Sequence, residues 1–228
     1  LGVTLSLSIA TGASIATAAG EVHSEVPEAA DPARRHVFYL HGAWIEQRGL
    51  ERSHPRHGRY EYQAIVQALA ERGFVVIGEA RESATDVGTY AKKVAAQVRR
   101  LLEQDVPPSH ITVIGHSKGG SIALIAASEL QEEKLNFVIM AGCGKRGSGF
   151  RRSFERFLEQ RAARLRGRLL SIYDASDRLA GSCREAFEKA GLSESSEVVL
   201  ETGEGHALFW SPKPVWIDEV VDWAEPKS

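Results

Sequence analysis

Ile111-Thr112-Val113-Ile114-Gly115-His116-Ser117-Lys118-Gly119-Gly120 is the stretch that decides the fold. Its first four residues are β-branched and apolar in character, which predicts a buried strand. The residues after it, Ser121 to Leu130, are rich in Ala, Leu and Ile and predict a helix. Between the two lies a G-x-S-x-G pentapeptide. Strand, sharp turn and helix form the context in which this pattern acts as a nucleophile elbow. The turn is tight and strained, so its flanking glycines leave room where side chains would collide. The Ser117 hydroxyl is then held out at the carboxyl edge of a sheet, and the Lys118 N–H points at the same spot from a helix amino end. The alternative is a Gly-rich turn with an incidental serine.

Outward from this stretch, a rhythm of strands and helices follows. Strands are predicted at His36–Leu40, Phe74–Ile77, Phe137–Met140, Leu169–Tyr173 and Val198–Leu200. Helical spacing marks Tyr60 to Arg72, a segment capped by Thr85 or Asp86 and running to about Gln104, Phe150 to Leu165, Ser182 to Ala190, and Pro214 to Trp223. Ile45 to Arg59 reads as a long polar loop. Alternation of this kind predicts an α/β fold, a three-layer α/β/α sandwich on a mostly parallel sheet of about six strands. Right-handed crossovers put the loops after each strand on one edge, where ligands bind in such sheets. No internal repeat and no second domain is expected in residues 35–228.

Composition narrows the class. The chain has 228 residues, 25% charged and 43% hydrophobic, which suits one globular domain with a substantial core. A formal net charge of −2 argues against a nucleic-acid partner. The arginines at 151, 152, 156, 161, 164, 166 and 168 are interleaved with Glu155 and Glu159, so they read as a solvated helix face. Leu1 to Gly20 carries no charge, and Ala16-Thr17-Ala18 resembles an A-x-A cleavage site. Residues 1–20 are therefore expected to be what remains of a signal peptide, pointing to export to the periplasm or medium; a disordered amino terminus is the alternative. The stretch is too weakly apolar for a stable membrane span. Residues 21–34 read as a linker. Cys143 and Cys183 follow neighbouring strands, so either a disulfide or two half-buried thiols would fit.

A serine hydroxyl needs a base, and the base an orienting acid. Of eight histidines, His206 alone follows Ser117. Asp174 and Asp177 are the aspartates between them, both just after a predicted strand. The chain order Ser, Asp, His is thereby available.

Over residues 35 to 225 the chain resembles a compact α/β-hydrolase. That resemblance implies an acid a few residues past its strand, in a G-x-x-D-like pattern. Asp174-Ala175-Ser176-Asp177 fits with Asp177 as acid, and Asp174 is the second choice. It also implies an oxyanion hole after the first strand, where His41-Gly42-Ala43-Trp44 matches H-G-x, giving donors at Ala43 and Lys118. The implied activity is serine hydrolysis of a carboxylic ester, thioester or amide of a small-molecule acyl substrate, with no cofactor. Trp44, Phe209 and Trp210 are expected to line the acyl pocket, although Phe209 and Trp210 could equally be core. Only a short segment separates Met140 from Leu169, so an open site without a large cap and a preference for short soluble esters are expected. The leading antiparallel strands common in the family have no counterpart in the sequence.

Two rival readings remain. Gly142-Cys143-Gly144-Lys145-Arg146-Gly147 is a G-x-G-x-x-G between strand and helix, the layout of a dinucleotide fingerprint, but half of that binding fold would be missing. A non-catalytic, hydrolase-like binding protein would need none of the three polar residues. His54-Pro55-Arg56-His57 lacks the Cys or acid cluster that a metal site would require, so no metal is expected. Oligomeric state is not encoded in any of these features.

Overall fold

The computed structural model describes residues 20–226. The leader expected at 1–20 therefore lies, except for Gly20, outside the described residues. The elements are β1 (Glu21–His23), β2 (His36–Leu40), α1 (Ala43–Arg48), β3 (Ser53–His54), β4 (Gly58–Arg59), α2 (Tyr62–Glu71), β5 (Val75–Ile77), α3 (Val87–Leu102) and β6 (Ile111–His116). They continue with α4 (Lys118–Leu130), β7 (Asn136–Met140), β8 (Cys143–Gly144), α5 (Arg151–Gln160), β9 (Arg168–Asp174), β10 (Ala180–Gly181), α6 (Arg184–Ala190), β11 (Ser195–Leu200) and α7 (Pro214–Ala224).

The central sheet has seven strands in the order β1-β5-β2-β6-β7-β9-β11. Every pairing in it is parallel. Six of these are the strands read from the sequence. The seventh, β1, corrects the linker expected at 21–34. Glu21–His23 pairs with Val75–Ile77, Val26 is buried, and the Gln104 side chain accepts from Ala30 N–H at 2.6 Å. Backbone pairing, with little side-chain burial, holds this edge.

From β2 the chain turns one way to β5, then α3 carries it back across to β6 on the other side. The order of the sheet therefore reverses between β2 and β6, and their carboxyl ends flank the crevice where parallel sheets place their ligands.

Strand alternation divides the core. Along β2, Phe38 and Leu40 join α3, α4, α5 and α6 on one face, whereas Val37 and Tyr39 join α2 and α7 on the other. Asp86 caps α3 by accepting the Thr89 N–H at 2.8 Å. Among the described residues, no helix is long and apolar enough to cross a membrane.

The polar loop expected at 45–59 is more ordered than its composition suggested. It contains most of α1 and the β3–β4 hairpin, covered by packing of Trp44 and His54 at 5.0 Å between ring centroids. The arginine-rich segment is less solvated than its charge suggested. Arg151 pairs with Glu155 and Glu185, Arg161 with Glu129, and Arg168 with Glu194.

Candidate active site

Ser117 stands between β6 and α4 with φ 55° and ψ −116°, a conformation that a non-glycine residue adopts only under constraint. Two glycines make the turn possible. A Cβ on Gly115 would lie 2.2 Å from the Gly119 carbonyl oxygen, and one on Gly119 would lie 1.9 Å from that of Leu40. The second contact also brings the amino end of α4 against the end of β2. Ala43, the first residue of α1, and Lys118, the first of α4, consequently line the same cleft as Ser117.

The hydroxyl of Ser117 lies 2.7 Å from His206 Nε2. His206 Nδ1 lies 2.8 Å from Asp177 Oδ2. Because a carboxylate can only accept, Nδ1 carries the proton and Nε2 faces the serine as acceptor. His206 is supplied by a 3₁₀ turn, Gly205–Trp210, that follows β11. The Asp177 side chain is fully buried, and its second oxygen accepts N–H groups from Leu179 (2.7 Å) and Ala180 (3.1 Å).

Asp174 has a different position. It is 1% exposed and accepts from Ser176 N (2.9 Å), Ser176 Oγ (2.5 Å), Thr202 N (2.9 Å), Thr202 Oγ1 (2.6 Å) and Gly205 N (3.3 Å). Burial alone would raise its pKa, but the hydroxyl and amide donors outweigh that and hold it at about 2. Asp174 thus ties the loop after β9 to the loop that carries His206, and its hydrogen bonds go to that frame.

Cys143 and Cys183 form a disulfide, and both are fully buried. It braces the two-stranded antiparallel ribbon of β8 and β10, which lies beside Asp177. Lys145 Nζ donates to the Asp177 carbonyl at 3.1 Å. The glycine pattern at 142–147 is accounted for here: Gly144 sits in this ribbon, where a Cβ would meet the Phe150 carbonyl at 2.5 Å. The pairing of β8 with β10 breaks the direct strand-to-helix turn a dinucleotide phosphate would use.

Two polar networks that the sequence did not announce surround the elbow. In one, His116 Nε2 donates to the His206 carbonyl at 3.1 Å, so its Nδ1 is the acceptor for Tyr60 OH, also at 3.1 Å. Tyr60 OH in turn takes a hydrogen bond from Tyr39 OH at 2.8 Å. Burial first, and the nearby His206 second, push His116 well below the usual histidine range. In the other, Arg81 pairs with buried Glu46 at 2.7 Å, and Lys118 Nζ pairs with the same carboxylate. Lys118 also donates to the Thr85 carbonyl at 2.6 Å. Arg81 N–H donates to His41 Nε2 at 2.8 Å, leaving His41 Nδ1 to donate to the Gly42 carbonyl at 2.8 Å. Burial and the Arg81 charge lower His41 to about 3. These contacts clamp the His41–Ala43 loop to α4.

Of the residues expected at the pocket, Phe209 and Trp210 take the core alternative. Phe209 is fully buried between His116 (5.4 Å between centroids) and Trp216 (6.0 Å), so it is core beneath the histidine loop. Trp210 is also buried; Trp44 packs on it at 5.4 Å, in a cluster with His54, His57 and Tyr60. The cavity that opens at Ser117, of about 340 Å³, is bounded instead by α3, α4 and α5, with Phe150, Phe154 and Phe157 along one wall. These phenylalanines fall at i, i+4 and i+7, a helical stripe that the charged residues around it concealed.

The class 3 lipase family matches residues 43–161, over half of the chain, a span that includes Ala43 and the Ser117 elbow. No curated protein matches in sequence. In structure, the chain is similar to a monoacylglycerol lipase of Paleococcus ferrophilus (15% identity, TM-score 0.58, covering 83% of this chain and 93% of that one). It is similar also to a lipase-esterase related protein of Clostridium acetobutylicum ATCC 824 (14% identity, TM-score 0.55, covering 86% and 97%). Esterase B of Lactobacillus rhamnosis aligns at 13% identity and TM-score 0.54, over 86% and 78% of the two chains. At these identities the structural likeness speaks for the α/β-hydrolase fold, and the family match speaks for the chemistry. The chain belongs to the class 3 lipase family of α/β-hydrolases and is an ester-bond hydrolase.

Proposed function

We propose that the chain cleaves carboxylic esters through an acyl-enzyme on Ser117. The observation that carries this reading is the continuous hydrogen-bonded line from Ser117 through His206 to Asp177. As Ser117 Oγ attacks the carbonyl carbon, His206 Nε2 takes its proton, and Asp177 stabilises the imidazolium through Nδ1–H. The developing oxyanion accepts the N–H groups of Ala43 and Lys118, each worth roughly 3–4 kcal/mol of transition-state stabilisation. His206 then protonates the leaving alkoxide. Water, deprotonated by the same nitrogen, releases the acid and restores Ser117.

Hydrolysis of p-nitrophenyl esters by the wild type, Ser117→Ala and His206→Ala tests this directly. Turnover by the wild type with near-complete loss in both variants is the expected result. Residual activity in Ser117→Ala comparable to wild type would sink the acyl-enzyme. Covalent labelling of Ser117 by a fluorophosphonate separates a reactive hydrolase from a scaffold that only binds.

We also propose that the protein works in an oxidising compartment outside the cytoplasm. The uncharged, small-residue stretch at 1–20 and the buried Cys143–Cys183 disulfide support it. Fractionation of cells producing the full chain, with the protein recovered solely from the cytoplasm, would refute it.

A further inference from the structure

We infer that the cleft between α3, α4 and α5 is the acyl subsite, and that it admits a medium chain of about eight carbons and no more. This rests on the Ser117 reading above and assigns the substrate class for that site.

The direction of the cleft follows from α4. Ser117, Lys118, Ser121, Leu124 and Ile125 all border the cavity. They mark successive turns of one helix leading away from the active edge. The α5 helix runs alongside in the same sense. Its start lies near that edge, because β8 returns the chain there, and its Arg161 end meets Glu129 near the end of α4 at 2.5 Å. Between these ends, Phe154 and Phe157 face Leu124 and Ile125. Val87, at the start of α3, borders the same space near the mouth. An ester carbonyl at Ser117 would therefore lay its acyl chain along α4, against the phenylalanine stripe, with the leaving group turned away towards His206.

Beyond Ile125 and Phe157, the last residues along each helix to line the cavity, the chain becomes charged. Glu129 is one turn beyond Ile125 on α4, and Arg161, the residue that follows α5, is four residues beyond Phe157. Their ion pair is joined by α3, whose Arg99 donates to the Glu129 carbonyl at 3.1 Å. Apolar carbon advancing past Ile125 would have to desolvate these groups. From Lys118 to Ile125 the helix rises roughly 10 Å at about 1.5 Å per residue. An extended chain advances about 1.2 Å per bond, by the reach of an extended backbone, so about eight carbons fill that length. The cavity, not the short span between β7 and β9, thus limits the substrate, and very short esters would leave the phenylalanine wall unused.

The test is a kcat/KM series on monomeric p-nitrophenyl esters from two to sixteen carbons, in the wild type, Ile125→Trp and Arg161→Ala. In the wild type, kcat/KM should rise about threefold to fourfold per added methylene, the value of about 0.8 kcal/mol each, up to about eight carbons, and fall beyond ten. Ile125→Trp fills the far end of the cleft and should lower the eight-to-two-carbon ratio at least thirtyfold. Arg161→Ala removes a half-exposed ion-pair partner and should raise the twelve-to-eight-carbon ratio. It keeps the test decisive if the tryptophan variant does not fold. A flat wild-type profile, or ratios unmoved in both variants while Ser117→Ala is inactive, would overturn the acyl assignment and leave the esterase reading standing. A wild type inert on every ester, with Ser117 unlabelled by fluorophosphonate, would overturn both.

Discussion

The two sides of Ser117 are built on opposite terms. On one side, Asp177, Asp174, His116, His41, Glu46 and Arg81 are all buried and hydrogen-bonded into fixed geometry. On the other, Val87, Ile125 and Phe150 are half-buried and border an unfilled space. The polar side must be over-determined, because a hydrogen bond misplaced by a fraction of an ångström loses its effect on the transition state. The apolar side gains from area and tolerates shape. Mutations on the polar side should therefore act on rate or collapse the frame. Those on the apolar side should change which ester is used.

The largest effect sharpens the assignment within the polar side. Asp177→Asn keeps the shape of the carboxylate but removes its charge and disturbs the His206 tautomer, so kcat should fall about 10⁴-fold with little change in melting temperature. Asp174→Asn should do the reverse. It weakens five hydrogen bonds, three of which cross from the loop after β9 to the loop carrying His206, so stability should drop, with a smaller loss in kcat. Steady-state kinetics and thermal melts on the pair check this. Equal kcat losses would erase the distinction between acid and brace.

Next is Glu46, whose carboxylate serves both Arg81 and Lys118. Glu46→Gln leaves two cations close together without their anion, and should cost about 3–5 kcal/mol of stability. Since the same contacts hold the His41–Ala43 loop, kcat should fall in addition, with KM less affected. Urea unfolding and kinetics with one ester measure both. A variant as stable as wild type would show that the loop is held by other means.

How much of this the sequence made legible depends on the range of the interaction concerned. The elbow is local: strand, glycines and helix lie within twenty residues, so its position could be read directly. His206 and the two aspartates were reachable by chain order, because the topology permits few candidates. The choice of Asp177 over Asp174 needed the family spacing. The Glu46–Arg81–Lys118 cluster joins three segments of unrelated sequence, and nothing in any one of them marks the partner. Phe209 shows the same limit from the other direction. An aromatic residue beside the base is consistent with pocket or core, and only the packing of His116 and Trp216 around it decides. By contrast, the stripe at Phe150, Phe154 and Phe157 was available in the sequence, but the surrounding arginines drew the reading towards solvent. Strand β1 carried no such pattern. Its residues are mostly exposed, and backbone hydrogen bonds to a neighbouring edge leave no trace in composition.

The disulfide stands between the two sides, since it secures the β8–β10 ribbon beside Asp177. Its cysteines are 40 residues apart, and replacing both by serine should cost about 2–4 kcal/mol. The same double variant should lose activity on every ester through the Asp177 loop and lose chain-length discrimination as well, because Cys143 adjoins Gly142 on the cavity and Gly144 packs against Phe150. A uniform loss on every ester would place the β8–β10 ribbon with the polar side alone.

The smallest effect concerns pH, and its order follows from the sign of each shift. His41 is held near 3 in the folded protein and His116 is pushed in the same direction, whereas both would titrate near 6.5 in the unfolded chain. Below that value the unfolded state binds the extra protons. The stability due to keeping these rings neutral is therefore complete above pH 6.5 and declines as the pH falls, by about 1.4 kcal/mol per unit for each histidine. Asp174 contributes later. Its pKa of about 2 lies below the unfolded value, so its contribution is intact above about pH 4 and is lost as the pH falls towards 2. Stability measured in urea should thus start to decline near pH 6 with a slope of at least two protons, to which His36, lowered by its burial, adds in the same direction, before any carboxylate is titrated. His116→Phe should reduce that slope by about one proton, whatever it does to the stability at pH 8. An unchanged slope would mean that His116 is protonated in the folded state, and that the Tyr60 hydrogen bond does not fix its neutral form.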